Sequence, residues 1–538
     1  MFSFAACVYF SSPVFSQVSA VGSNIMRIGA GHTDAGEGIT NTKRYLEEIA
    51  NARLFFSNIT LGLRYELDDL SEVGPSFQGL RRRWTEYAKD KLTLQAGDVY
   101  ALYGRGLTMN AFESRPLNYD SWLDGIKGEY EYAWSKDEYD FRPSLGVKMI
   151  AGKLNYRDIV DSTHILTVSS QAFNTQLGLF GKKVLVGGSF LHANTSYPEL
   201  SFGSQVFTLR EVNQPEFYVN FFTGALEGFF QYAQVRTNLT QIFGEQKDSN
   251  HTGNAFYGSL SYSGEDLGLT FEYKNYGYYI HPAREPNKPT YFSKLPISNP
   301  PEVYKEFTYT SLTRTTHSVN FDDELGFQIE ANITAIPENV ITLYAAASSW
   351  HNSYDDTLHL TGTTDILPKF SGTTYYPFWE YFVEVEHEFG GLDYLKLFAH
   401  RRSEVIHAAP LEEQSSTTIG AKLQYETSKS QSFLASFEHQ WMTSYQRIIN
   451  DHKFLNELLT VQYSFNPIIT FGGVLDFCTR YEESRHIWPQ VFVSFRIGGS
   501  HTVLASFGSE RGGLNCTGGI CRVVPAFDGA RVTITSQI

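Results

Sequence analysis

The chain has 538 residues and a formal charge of −15, with 19% charged and 15% aromatic residues; 33 Tyr and 41 Phe stand against 5 Met. The acidic balance argues against a nucleic-acid surface, which is basic, and the aromatic surplus suits half-buried strands and membrane-interface girdles. No segment beyond the N-terminus approaches the ~18 consecutive apolar residues of a transmembrane helix, which leaves a soluble secreted protein or a membrane β-barrel.

In chain order, "MFSFAACVYFSSPVFSQ" reads as a signal peptide over residues 1–16, with the small Ser16 before the cleavage point. It lacks a basic n-region, and Pro13 counts against a buried N-terminal helix. Residues 17–52 read as a short periplasmic segment or hatch, too short for a plug domain.

From residue 53 to 538 the pattern is period two in segments of ~10 residues separated by turn signals, which predicts an all-β, single antiparallel transmembrane barrel. The predicted strands are 53–66, 75–88, 91–101, 124–135, 143–151, 172–180, 183–192, 216–223, 226–236, 254–263 and 266–276. They continue at 325–335, 339–350, 376–388, 392–402, 415–427, 430–441, 454–465, 468–478, 487–497, 500–508 and 527–538. The total is about 22, within a range of about 20–26 for a barrel of this class.

In "STTIGAKLQYET" the apolar Ile419, Ala421, Leu423 and Tyr425 oppose Lys422, Gln424 and Glu426; in "LGLTFEYK" Leu269 and Phe271 oppose Thr270 and Glu272. Short connections such as Lys89-Asp90, Gly181-Lys182 and Asn466-Pro467 alternate with long ones such as 102–123, 193–215, 277–324 and 351–375. Short periplasmic turns and long extracellular loops give that parity and put both termini in the periplasm. The expected location is the bacterial outer membrane, with outer-membrane lipid as the surrounding partner. The last strand, "ARVTITSQI", resembles the terminal signal read by the barrel-insertion machinery, although it ends on Ile538 rather than an aromatic residue.

Three groups of residues are functional candidates. In "GDVYALYGRGLTMNAFESRP", Gly104 and Gly106 permit a sharp reversal, and the apolar Leu107, Met109, Phe112 and Trp122 predict that this loop folds into the barrel mouth. Arg105 and Arg115 are then expected to bond acidic groups on the inner wall. The proline-rich loop 277–324 is read as a solvated loop, with partner binding or capping of the lumen as the alternative.

In "YPFWEYFVEVEHEFGG", Glu380, Glu384, Glu386 and Glu388 share a face that should line the lumen, because charge on the lipid side is costly. On the next strand Lys396, His400 and Arg402 share a face. A turn extended by Leu392 pairs Glu386 with Lys396 and Glu380 with Arg402, and desolvation favours it over a tight Gly390-Gly391 turn. The ladder is read as lumen-stiffening, with a cation-selective constriction as the alternative.

Cys516 and Cys521 flank "TGGI" in the last long loop and predict a local disulfide in an exported chain; no further ligands suggest a metal. "HEFGG" lacks the second His of a zincin, and no G-x-S-x-G occurs. No catalytic residue, metal or cofactor is therefore expected.

"FQGLRRRWTEY" at Phe77, "GDVYALYGRGLTMNAFESR" at Gly97, "LDGIKGEYE" at Leu123 and "GGLNCTGGICRVVPAFDGARVTITS" at Gly512 resemble the DUF6029 family of outer-membrane β-barrels of Bacteroidota and relatives. The resemblance implies location and fold, and brings no activity with it. The functional expectation is a channel or porin-like transporter, or the membrane scaffold of an envelope complex with protein partners. The alternatives are an outer-membrane enzyme with carboxylate and His groups at the rim, or a soluble secreted β-rich adhesive or carbohydrate-active protein.

Overall fold

The computed structural model describes residues 18–537 apart from 35–39, 70–75, 115–118, 134–142, 158–164, 202–203, 244, 279–294, 322, 354–364, 409–410, 447–449, 482–484, 518–519 and 525. The signal peptide expected at 1–16 lies outside the described residues. Twenty-four antiparallel strands form one sheet. It closes where the first strand, Val18–Asp34, pairs with the last, Phe527–Gln537. Closure leaves no unpaired edge, which is the condition for strands to cross lipid.

Two strands exceed the expected number, and both come from the segment expected to be a hatch. Residues 17–52 are corrected: Val18–Asp34 and Thr40–Phe56 are paired wall strands. Their alternation is masked because both faces of the first are mixed, Ser23, Ile25, Arg27, Gly29 and Gly31 on one and Asn24, Met26 and Ile28 on the other. The expected strand 53–66 in fact spans a hairpin turn at Ser57-Asn58, where Ser57 takes a left-handed φ of 54° without glycine or proline to mark it.

The remaining strands follow the alternation, but the long connection expected at 193–215 is corrected: Val184–Ser201 and Ser204–Thr223 are paired strands as far as Ser201 and Ser204. Ile419, Phe271, Phe173 and Phe217 are exposed on the outside, whereas Thr418, Gln440 and Asn174 on the opposite face are buried. An apolar outer face on a closed antiparallel barrel is stable only in lipid, and the protein is a bacterial outer-membrane barrel.

Two rows of glycine bend the wall. Gly97, Gly125 and Gly152 lie opposite one another on three adjacent strands, as do Gly31, Gly529 and Gly508 on either side of the closing seam. A Cβ on Gly125 would stand 2.0 Å from the Ala151 carbonyl oxygen, and one on Gly529 would stand 2.3 Å from that of Ala30. Such backbone approach marks sharp curvature of a sheet.

The hydrophobic core is inside the barrel. Leu107, Met109, Leu295, Ile297, Leu312 and Phe321, all from extracellular loops, are buried against inward wall residues such as Val168, Leu191 and Phe398.

Candidate functional site

The site is the lumen and the two loops that fill it. The first loop, described over 100–114 and 119–122, turns inward directly after the short strand Leu92–Val99. Gly104 and Gly106 have φ of 53° and 92°. A Cβ on Gly104 would sit 2.5 Å from the Gln231 side chain of the wall, and one on Gly106 would sit 2.6 Å from the Asn299 carbonyl oxygen. The two glycines therefore allow both the reversal and the close approach.

The loop is held mainly by its acids. Arg64 bonds Glu113 at 2.7 Å, and Arg82 bonds Asp120 at 2.5 Å and Glu113 at 3.1 Å. Tyr100 donates its hydroxyl to Asp120 at 2.8 Å, and the Arg82 guanidinium lies over the Tyr100 ring. The strongest anchors are thus opposite in sign to the expected one, while Arg105 does stand beside the wall carboxylate Glu227. The loop reaches inward, but Arg105 does not anchor it: its half-exposed side chain lies 3.9 Å from Glu227 and packs over Phe229, while its backbone N–H donates to Gln231 at 2.8 Å. An arginine beside a half-exposed carboxylate contributes little. Arg115 lies outside the described residues.

The second loop, described over 295–321 and at 323, reaches across the lumen from the strand Leu267–Gly277 to the strand Ile469–Cys478. Lys274 donates to the Glu302 carbonyl at 2.6 Å, and Tyr276 donates to that of Pro301 at 2.7 Å. Further along, Lys305 pairs with Glu330, Tyr309 donates to Glu384, and the N–H groups of Thr310 and Ser311 donate to the Glu438 carboxylate. Arg314 reaches Asp476 at 2.7 Å. The proline-rich connection therefore caps the lumen over its described part.

Near the end of this loop His317 enters a buried charge network. It bonds Glu324 at 3.0 Å and Glu404 at 2.6 Å; Lys274 bonds Glu324 at 2.7 Å, and Arg402 bonds Glu404. The imidazole stacks on Phe378 with ring centroids 4.1 Å apart. Burial alone lowers its pKa, but the carboxylates on both sides outweigh burial and push it up to about 9. Lys274 and Glu324 are 0% and 1% exposed, so removing either would leave the other as a buried charge short of a partner.

The two loops also lock to each other. Asn110 donates to the Asn299 carbonyl at 2.9 Å, and Asn299 donates to the Asn110 carbonyl at 2.6 Å. Ser298, Tyr278 and Gln214 all donate to the Leu107 carbonyl.

The strand Phe378–Gly390 pairs with Asp393–Ala408 so that Glu386 stands opposite Lys396 and Glu380 opposite Arg402, with a bulge between Glu388 and Gly390. Lys396 bonds Glu386 at 2.7 Å and lies 4.0 Å from Glu384. The upper end departs from a simple ladder. Arg402 turns to Glu404, and Glu380 instead accepts from Tyr344 at 2.9 Å and contacts His400 at 3.3 Å. Phe307 of the second loop packs against Phe382 and His400. Glu380, His400 and Arg402 are consequently a buried docking surface, while Glu384, Glu386 and Lys396 stay partly exposed and Glu388 is exposed at the periplasmic rim.

Cys516 and Cys521 lie directly opposite each other in a two-stranded hairpin, and their side chains lie outside the described residues. Among the described residues no group of His, Cys, Asp and Glu could hold a metal ion. Sequence reasoning missed Arg64, Arg82, Lys274, His317 and Glu404 as loop anchors. Only Lys274 and Glu324 left a signal, as opposite charges near the two ends of one long loop.

No curated protein matches the chain. Among solved structures it is similar to the outer-membrane transporter YddB from Escherichia coli, with 9% identity, a TM-score of 0.42, and coverage of 98% of this chain and 81% of that one. It is also similar to the siderophore receptor PirA from Pseudomonas aeruginosa, with 7% identity, a TM-score of 0.44 and coverage of 96% and 80%. The P pilus usher (PapC) translocation pore gives 10%, 0.41, and 97% and 99%. These likenesses concern barrel architecture alone. The family model that matches residues 33–538 is that of a family of unknown function, DUF6029, and the chain belongs to that family.

Proposed function

We propose that the protein is a gated outer-membrane conduit, shut in this state by its own extracellular loops. The observation that carries this reading is the inward fold of the described residues of 100–122 and 295–323, fastened to the wall through ion pairs and side-chain hydrogen bonds. Polar fastening supports a movable gate, because water can replace each bond when a loop leaves. Glu384, Glu386 and Lys396 remain partly exposed beside the second loop, and in an open state Glu384→Gln and Glu386→Gln are expected to change ion selectivity.

A second reading, a closed scaffold for envelope protein partners, is supported by the apolar core that the loops share with the wall. Planar-bilayer recording separates the two. Wild type is expected to conduct little, and Glu438→Ala combined with Arg314→Ala is expected to raise conductance. If those variants keep the heat-modifiable mobility of a folded barrel and still do not conduct, the conduit reading falls and the scaffold reading stands.

A further inference from the structure

Part of the connection that follows the strand Asn339–Ser349 lies on the outside of the barrel. The strand Leu267–Gly277 turns Phe271, Tyr273 and Asn275 outward, and pairing carries that face through Phe327 and Leu325 to Ala347 and Ser349. Leu325 and Ser349 face away from the lumen and are nevertheless fully buried. Residues 365–376 lie over them: Tyr273 donates its hydroxyl to the Ile366 carbonyl at 2.8 Å, Asn275 donates to that of Asp365 at 3.1 Å, and the Lys369 N–H donates to the Ser349 hydroxyl at 2.8 Å. The segment is a strap across neighbouring strands.

Its charges answer each other and its apolar groups point away from the wall. Asp365 and Lys369 pair at 3.0 Å, and the Lys369 ammonium also donates to the His351 carbonyl at 2.8 Å and lies over the Tyr375 ring. Ile366, Leu367 and Phe370 are 72%, 68% and 63% exposed. Tyr273 and Asn275 stand six and eight residues above Leu267, at the periplasmic start of their strand. On a strand tilted about 40°, that is roughly 15–20 Å up an apolar band of ~25 Å.

The strap also meets the root of the second lumen loop. Asp323, directly before the strand Glu324–Ile333, lies 2.8 Å from His351 Nδ1 and accepts the N–H groups of His351 and Asn352 at 3.3 and 3.4 Å. His351 Nε2 lies 3.1 Å from Asn275 on the wall. Wall, strap and loop root therefore join at one buried imidazole.

We propose that the strap is seated in the acyl layer of the outer leaflet and from there clasps the root of the second loop. Continuity with the lipid face selects this occupant: the strap is bonded within the apolar band, beside outward Phe271 and Phe327, and carries that face onward with Ile366, Leu367 and Phe370. A cluster of large apolar side chains of this kind marks an interface rather than a solvated loop. Acyl chains suffice, because the strap's two charges are spent on each other and on the wall. The clasp serves a conduit and a closed scaffold alike.

The test uses the full-length barrel in phosphatidylcholine vesicles, with p-benzoylphenylalanine in place of Ile366, Phe370 or, as a lipid-facing reference, Phe271. Irradiation is expected to give lipid adducts by intact mass spectrometry at all three positions. An adduct to a second copy, or no adduct, at both Ile366 and Phe370 while Phe271 gives lipid overturns the seat. Hydrogen exchange reads the clasp. His351→Ala, and Ile366→Asp combined with Phe370→Asp, are each expected to raise exchange in 316–321 by about tenfold, the effect of losing a hydrogen bond to a charged group, with 100–114 near wild type. Heat-modifiable mobility on gels establishes that each variant is folded, and unchanged exchange in either folded variant overturns the proposal.

Discussion

Residues 100–122 bring carboxylates to wall arginines, whereas residues 295–323 bring cations and N–H donors to wall carboxylates. Glu113 and Asp120 of the first loop meet Arg64 and Arg82. Lys305, Ser311, Arg314 and His317 of the second meet Glu330, Glu438, Asp476 and Glu404. The wall groups that take the first loop's carboxylates are arginines on the strands Ile59–Asp69 and Phe77–Lys89, and those that take the second loop's donors are carboxylates from Glu324 onward. The ion pairs of the two loops are thus opposite in sign, although Thr108 of the first loop also donates to the wall carboxylate Glu216.

The largest effect should come from breaking the second loop's deepest anchor. Lys274→Met leaves Glu324 buried with one cation fewer, and loss of one partner of a buried pair costs about 3–5 kcal/mol. A matching drop in urea stability of the refolded barrel checks it, and hydrogen exchange should rise in 295–323 more than in 100–122.

Independence of the two sets of anchors is tested next. Arg82→Ala should deprotect 100–122, and Glu438→Ala should deprotect 306–316, each by about 1.5–3 kcal/mol of local opening free energy, the value of a hydrogen bond to a charged group. If Glu438→Ala frees both loops equally, the Asn110–Asn299 lock rather than wall charge governs the gate.

The second loop's anchoring should also depend on pH. The folded pKa of His317 is raised, so its contribution is fully present below the ordinary value near 6.5 and is lost as pH rises through about 9. Its surroundings are Glu324, Lys274, Glu404, Arg402 and, from its own loop, Tyr304. Protease cleavage within 295–323 should increase from pH 7 to pH 10 in wild type and change less in His317→Gln, with 100–122 little affected.

The smallest effect is expected at the rim. If Cys516 and Cys521, which lie opposite each other, form a disulfide, closing so short a loop adds at most about 2 kcal/mol on the chain-entropy model. Thiol labelling of intact cells without reductant should be weak, and Cys516→Ser should leave protection of both lumen loops near wild type.

How much of this was legible follows from the range of each signal. Period two and turn parity are local, so the existence of the strands from residue 75 onward and the pairing of Glu386 with Lys396 could be read directly, but not how far strands such as Val184–Ser201 and Ser204–Thr223 extend into the expected loop 193–215. Charge cost in lipid sufficed to choose that register. The first two strands were hidden because glycine and charged residues blur their faces, and Ser57 turns the chain without a turn residue's signature. The loop anchors were hidden for another reason: Arg82 and Asp120 are 38 residues apart, and His317 and Glu404 are 87 apart. An apolar loop sequence shows that it will leave water; it does not show which wall charge it will meet.

The glycine row Gly31, Gly529 and Gly508 also bears on assembly. It lies where the first and last strands join, so the final joint of the ring is made at a corner. Until those strands meet, the tube can open wider than its finished girth, and the span across its interior is not fixed. Alanine at Gly529 would meet the Ala30 carbonyl and hold that corner open. Such a chain should accumulate as an unsealed, protease-sensitive intermediate, with its interior loops still outside.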